Sequence, residues 1–334
     1  MALMTRQKII TLYEKYKAVD VIFTKEIVEV TGLVTKQIFL KCGEDIWPCA
    51  IYSSSFQEAK VVANLDKGIL KKIERANNMV SIRFCFRKAD SANPVPFFMA
   101  AKFMSSVSNS GSQDTALITL QFTQRPPDDL IEIVGRVLDA NINFKKRRGQ
   151  YIPMTPDSLR RMNIPSKECV IYIQDVPRNC ILRELSFSGA KVIMVGIEKF
   201  LINKDVALRI DFEDPRETIV LKGKFINAEG VQGRKELVAL ALNLDESDIP
   251  MGYKIRINEF ISQVRADIRG SEDVVVEKNT NGSLSEETKK PEPAREAKGS
   301  PPAETKDSES EKPRTPEKPL DLEDFDLILP GSSG

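Results

Sequence analysis

The chain has 334 residues, enough for about two domains at ~100–200 residues each, and it carries 49 Lys+Arg against 48 Asp+Glu with no histidine. The missing histidine excludes a Ser-His-Asp triad, an HExxH zinc site and an imidazole base, and neither a GxxxxGK[ST] loop nor a GxGxxG fingerprint occurs. Carboxylate, lysine or tyrosine chemistry is the enzymatic remainder, and no spacing points to it, so the chain reads as a binding module rather than an enzyme, with no metal site and no cofactor.

Residues 1–17 read as an N-terminal helix. "MALMTRQKIITLYEKYKAVDVIF" scatters Arg, Lys and Glu along its length, so it lacks the apolar centre of a signal peptide, and no apolar run of membrane length follows. The expectation is a cytoplasmic protein with no membrane partner. Residues 18–142 form a first domain. "TKQIFLKC", "WPCAIYSS", "EAKVVANL", "MVSIRFCFRK", "PFFMAAKFM" and "ALITLQFTQ" read as strands, with "DKGILKKIERANN" as a short helix among them. "PPDDLIEIVGRVLDAN" then places prolines and two acids at a helix start, followed by apolar residues at helical spacing. Residues 143–155, "NFKKRRGQYIPMT", read as a basic linker containing four consecutive cations.

Residues 156–268 repeat the plan. "ECVIYIQD", "NCILREL", "AKVIMVG", "DVALRIDF", "ETIVLKGKFINA" and "KELVALALNLD" are the strands, and "YKIRINEFISQVRADI" is the closing helix. Residues 269–334 are dominated by Glu, Lys, Pro, Ser and Thr. Such a segment buries too little apolar surface to offset its ordering entropy, so it is expected to be a disordered acidic tail. From Ser271 on it holds 9 cations against 16 acids, which leaves 40 against 32 in the body. A mildly basic body suits an anionic small ligand or a nucleic acid. Near the end, "LDLEDFDLILPG" (320–331) interleaves apolar residues with acids, the look of a short docking motif for a protein partner or for the basic body. The five cysteines have no CxxC spacing and lie in apolar strand-like runs, as reduced core residues do.

The halves align with each other. "CAIYSSSFQEAKVV" (49–62) and "CILRELSFSGAKVI" (180–193) match without gaps at an offset of 131, with six identities in fourteen. Duplication explains this, and so does convergence of two strand-turn-strand segments; a closing helix in each half favours duplication. The fold expected is mainly β with helices: two small antiparallel barrels joined by the basic linker.

The second copy holds a candidate site. "ELSFSGAK" reads as a strand on which Glu184 and Ser186 face the same way, and Gly189 ends it where a missing Cβ permits positive φ and close backbone approach. A carboxylate, a hydroxyl and open backbone offer partners for a base edge and a phosphate, with Ser188 in support. An ordinary Ser-Gly hairpin turn accounts for the same residues. In the basic run, Arg147 and Arg148 have the fork that fits guanine or phosphate, Tyr151 offers a stacking face, and Lys145 and Lys146 add unspecific attraction. A solvated charge run is the plain alternative.

These residues resemble the PilZ family of cyclic di-GMP receptors, whose motifs are RxxxR and (D/N)xSxxG, and more fully its two-domain spirochaetal members, over most of residues 45–260. The second motif reads Glu184-Leu185-Ser186-Phe187-Ser188-Gly189. The first begins at Arg147 or Arg148, and the residue four positions on is Tyr151 or Ile152. Glu184 therefore stands for Asp or Asn, and Tyr151 for the second arginine. The resemblance implies cyclic di-GMP as a ligand rather than a cofactor. It would be bound by Arg147, Arg148, Tyr151, Glu184, Ser186 and Gly189, in an effector that rearranges its two barrels and contacts a protein partner. In the first copy Ser53 and Glu58 replace Glu184 and Gly189, so that barrel is PilZ-like with a degenerate site. The alternatives are an adaptor with a decayed nucleotide site, working by protein contact, and a nucleic-acid-binding protein; against the latter, no long basic stripe with interleaved aromatics is present.

Overall fold

The computed structural model describes residues 5–64, 67–87, 93–108, 115–147 and 149–280, without the side chains of Lys67, Lys235 and 268–280. Arg148 and the tail beyond Thr280, with its candidate docking motif, lie outside the described residues. Residues up to Arg265 cluster as one compact unit; the described part beyond it is helix.

The first half runs α1 (Arg6–Tyr16), β1 (Val21–Ile22), α2 (Lys25–Thr31), β2 (Phe39–Cys42), β3 (Asp45–Ser54), β4 (Glu58–Asn64), α3 (Lys67–Arg75), β5 (Met79–Phe86), β6 (Val95–Ser108), β7 (Thr115–Phe122) and α4 (Asp128–Lys146). The second runs β8 (Ile152–Pro153), α5 (Pro156–Met162), β9 (Glu168–Ile173), β10 (Val176–Leu185), β11 (Gly189–Val195), α6 (Glu198–Leu201), β12 (Asp205–Phe212), β13 (Glu217–Val231), β14 (Arg234–Leu244) and α7 (Met251–Thr280). Strands β3-β2-β5-β6-β7-β4 close on themselves through β3–β4, and β10-β9-β12-β13-β14-β11 close through β10–β11. Each is a six-stranded antiparallel barrel, with β1 added to β3 and β8 to β10. Closure pairs both edges of the six barrel strands, and the two-residue β1 and β8 lie outside that ring.

The duplication is far more extensive than a fourteen-residue match. The offset of 131 carries α2 onto α5, β1 onto β8, β3 onto β10 and β4 onto β11, end to end. It carries the bulge between Ile51 and Ser53 onto the one between Leu182 and Glu184. Thr24 caps α2 as Thr155 caps α5, and Gly32 and Asn163 end them in left-handed conformation at φ 70° and 55°. Tyr13 meets Phe56 at 5.9 Å between ring centroids, as Phe144 meets Phe187 at 5.9 Å. Chance convergence does not reproduce caps, a bulge and ring packing together. The last turn of α4 thus plays for the second barrel the part that α1 plays for the first.

That overlap ties the halves together. Helix α4 lays Leu130, Ile131, Val134, Val137, Leu138 and Ala140 on the first barrel's core, yet Phe144 belongs to the second. Conversely α7 packs Tyr253, Ile257, Phe260 and Ile261 on the second barrel while Met251 and Ile255 reach the first core. Where α1, α4 and α7 meet, the contact is polar. Asp139 accepts from the Tyr16 hydroxyl at 2.5 Å, Lys15 Nζ at 3.1 Å and Asn258 Nδ2 at 2.9 Å. Asn143 Nδ2 donates to Asn258 Oδ1 at 2.8 Å, and Arg136 Nε donates to Glu259 at 2.6 Å. Burial alone would raise the Asp139 pKa; the hydrogen bonds from Asn258, Tyr16 and Lys15 outweigh it and hold the carboxyl below its ordinary value. The Met251 amide also donates to Glu26 Oε1.

All five cysteines are free and buried, as read from the sequence. Burial pushes the Cys169 thiol up to about 11 and those of Cys49 and Cys180 up to about 12. Among the described residues no helix is long and apolar enough to cross a membrane.

Candidate functional site

The stretch read as a linker from residue 143 begins inside a helix: Asn143 and Phe144 are buried in the last turn of α4, and Lys145 and Lys146 are its exposed last residues. Cations suit that end of the helix dipole. Arg147 is the C-cap, its amide bonded to the Asn143 carbonyl at 2.9 Å. The chain then turns at Gly149, and Ile152 and Pro153 form β8 against Leu185 and Glu184. The second barrel's first strand therefore lies within 143–155, because its pairing partner is the end of β10.

Tyr151, Glu184, Ser186 and Gly189 come together at the mouth of this barrel. The Tyr151 hydroxyl would be 3.2 Å from a Cβ built on Gly189, and Ser186 Oγ 3.7 Å from it. Glu184 Oε2 forms an ion pair with Lys191 Nζ at 2.8 Å, and the same ammonium lies 4.9 Å from the centroid of the Tyr151 ring. Tyr151 is 40% exposed.

Two sequence expectations need correction. Glu184 and Ser186 do not share a face: β10 ends at Leu185 and the chain turns, so Ser186 is fully buried while Glu184 is half-exposed. The Ser186 hydroxyl donates to the Gly189 carbonyl at 3.1 Å, and the Ser186 carbonyl accepts from Tyr253 on α7 at 2.6 Å. Nor does Gly189 end a strand at positive φ. It opens β11, and a Cβ there would stand 2.6 Å from the Leu242 carbonyl oxygen, so close backbone approach is what demands glycine. The half-buried Ser188 sits in the turn, its carbonyl accepting from the Leu244 amide at 2.9 Å.

Cations of α7, which the motifs do not include, lie beside Arg147 and Phe144. Arg147 is half-buried, and burial followed by repulsion from Arg265 of α7 lowers its pKa. Arg265 itself donates to Gln150 at 3.2 Å, holding the turn before Tyr151. Lys254 lies 4.6 Å from the Phe144 ring. Crowded cations of this kind favour an anion. Lys191, Arg265 and Tyr253 were not singled out from the sequence. For Lys191 a signal existed, since Lys60 and Lys191 are among the six identities between the halves. For the two residues of α7 none did, because their proximity depends on how that helix packs.

At the offset of 131, the first barrel's mouth has Asp20, Ser53 and Glu58 where the second has Tyr151, Glu184 and Gly189. Lys60 is held there by Asp20 at 3.1 Å and Glu58 at 3.6 Å, and Ser53 Oγ donates to Asp20 at 3.5 Å. The Ser55 amide bonds the Glu58 carbonyl at 2.9 Å, matching Ser186 and Gly189 at 2.8 Å. The turn is kept, and the rim carries its own ion cluster.

Residues 7–141 match the PilZN3 domain model, which spans α1 through most of α4. A protein of Treponema denticola named as a cyclic di-GMP binding protein is 44% identical over 266 residues, covering 79% of this chain and 85% of that protein. Among solved structures, the Borreliella burgdorferi PlzA protein in complex with c-di-GMP aligns at 25% identity and a TM-score of 0.35, over 76% of this chain and 98% of PlzA. Escherichia coli YcgR in complex with c-di-GMP aligns at 9% identity and a TM-score of 0.27, over 82% of this chain and all of that one (100%). A relative 44% identical over 79% of this chain, together with a PilZN3 match over residues 7–141, means that the chain belongs to the PilZ-domain family.

Proposed function

We propose that the protein binds cyclic di-GMP at the mouth of its second barrel, through Arg147, Arg148, Tyr151, Glu184, Ser186 and Gly189, and that occupancy is passed on by rearrangement of the two barrels to a protein partner. The observation that carries the reading is the 44% identical relative named as a cyclic di-GMP binding protein. The geometry supports it: a mouth rimmed by Arg147, Lys191 and Arg265 suits a dianion, and the Tyr151 ring suits a base. Ser186 contributes by shaping the turn that presents backbone to the ligand.

Rearrangement has a route in the same residues. Asp139, Asn143 and Arg147 succeed one another at four-residue spacing on α4, so one helical face runs from the junction with α1 and α7 to the site. An anion drawing on Arg147 pulls on the helix end that both cores share.

Isothermal titration of the full chain with cyclic di-GMP, with GTP and cyclic GMP as controls, tests the binding. Saturable binding of the dinucleotide is expected, weakened about a hundredfold or more in Arg147→Ala/Arg148→Ala. A double variant binding like the parent would sink the site. Tyr151 in place of the second arginine favours a second reading, an adaptor whose nucleotide site has decayed. A parent that binds no dinucleotide would put that reading first.

A further inference from the structure

We propose that Lys191 is a ligand-contacting cation of this site, supplying the positive charge that is missing where Tyr151 replaces the second arginine. The inference rests on the cyclic di-GMP reading above and extends it to a residue outside both motifs.

Register places Lys191 directly across from Glu184, on the strand beginning at Gly189. Its ammonium lies 2.8 Å from the Glu184 carboxylate and 4.9 Å from the Tyr151 ring centroid, so a cation is held against the residue that stands for the arginine. The Tyr151 ring is a shelf for that cation. The pair is open to water, with side chains 48% and 31% exposed, so it adds little to folding and exchanges partners at small cost.

Exchange is what the ligand's chemistry calls for. A guanine edge offers N–H donors to the Glu184 carboxylate, and a phosphate offers oxygens to the Lys191 ammonium, so both halves of the ion pair find new partners on one molecule. The hydrogen bond and charge of Glu184 raise the Lys191 pKa, with Tyr151 and Glu229 adding to it, and the side chain stays cationic at neutral pH.

The first barrel shows why the neighbours matter. Lys60, the counterpart of Lys191, is shared between two carboxylates, Asp20 and Glu58, and has no charge to spare. Around Lys191 the corresponding positions hold a neutral ring and a glycine, which leaves Glu184 as its direct counterion. The same lysine on the same strand is neutralised in one barrel and available in the other.

The test is titration of the full chain with cyclic di-GMP for the parent, Lys191→Met, Lys191→Arg and Lys191→Met/Tyr151→Arg, with the thermal midpoint of each measured without ligand. Lys191→Met should weaken binding about tenfold or more, since a charge-assisted contact is lost. Lys191→Arg should bind within a few-fold of the parent, and Tyr151→Arg should recover most of the loss in the Met background. The ligand-free midpoints should stay together, which a merely structural role for Lys191 would not produce. If Lys191→Met binds like the parent while Arg147→Ala/Arg148→Ala does not bind, Lys191 makes no contact and the site reading survives. A loss that Tyr151→Arg fails to recover overturns the exchange of one cation for the other. A parent that does not bind the dinucleotide removes both readings.

Discussion

The two barrels share the backbone of their first four strands and differ in the residues at the mouth. The ladder registers, the bulge, the helix caps and the turn between the third and fourth strands coincide at an offset of 131, and so do the packed rings Tyr13–Phe56 and Phe144–Phe187. At the mouth, Asp20, Ser53 and Glu58 give way to Tyr151, Glu184 and Gly189, while the lysine and the turn serine are retained. Tyr16 is buried and spends its hydroxyl on Asp139, whereas its counterpart Arg147 is half-exposed beside Arg265. One fold therefore carries two different rims: an ion cluster around Lys60 in the first barrel, and Tyr151, Glu184 and Gly189 around Lys191 in the second.

The sharpest way to break the comparison is to give the second barrel the residue of the first. Gly189→Glu sets a Cβ against the Leu242 carbonyl and a carboxylate where phosphate is proposed to approach. Cyclic di-GMP binding should fall about a hundredfold or more, with a stability loss of about 1–3 kcal/mol from overpacking. Gly189→Ala carries the crowding without the charge, and comparing the two by titration and urea unfolding separates the effects. Unchanged affinity in Gly189→Glu would mean that the mouths do not differ in function.

A smaller effect is expected at the junction of α1, α4 and α7. Asn258→Leu removes the donor to Asp139 and the acceptor for Asn143, leaving buried polar groups short of partners at a cost of about 1–3 kcal/mol. The urea midpoint should drop accordingly. If this junction couples the barrels, the variant should also separate their unfolding into two transitions by fluorescence and circular dichroism.

Asp139 gives the junction a pH dependence. Its folded pKa lies below the ordinary 3.8. Its contribution is therefore fully present above that unfolded value and is lost as pH falls through the lower folded one. The parent should lose stability in that acid window more steeply than Asp139→Asn, measured by urea titration at a series of pH values. Equal slopes would remove Asp139 as the cause.

The least effect belongs to the first barrel's ion cluster. Asp20→Asn/Glu58→Gln removes the carboxylates that hold Lys60, whose side chain is 34% exposed. Exposed pairs contribute about 0–1 kcal/mol each, so the urea midpoint should barely move. A loss of several kcal/mol would show that the cluster holds the barrel together rather than filling its mouth.

Local periodicity and residue type make part of this architecture readable before any long-range contact is known. Alternation of Val, Ile and Phe marked most of the strands, Pro-Pro-Asp-Asp marked the start of α4, and the repeated Cys, Ser, Phe, Ala, Lys and Val revealed the duplication. The Arg147 and Glu184–Gly189 motifs could be proposed from residue type and spacing, which are one-dimensional. The remainder follows from packing between distant segments. The helical start of the basic stretch sets Phe144 against Phe187 of the turn after β10, a contact that local sequence cannot register. Ser186 is buried because the strand stops one residue before it, so the alternation of faces no longer applies. Gly189 is required by the carbonyl of Leu242, more than fifty residues away in the chain. Lys191, Arg265 and Tyr253 reach Glu184, Gln150 and Ser186 through strand register and helix packing, which are set when the barrel closes. Contacts between residues distant in sequence form only when the whole core is assembled, and that is where the chemistry of this mouth was written.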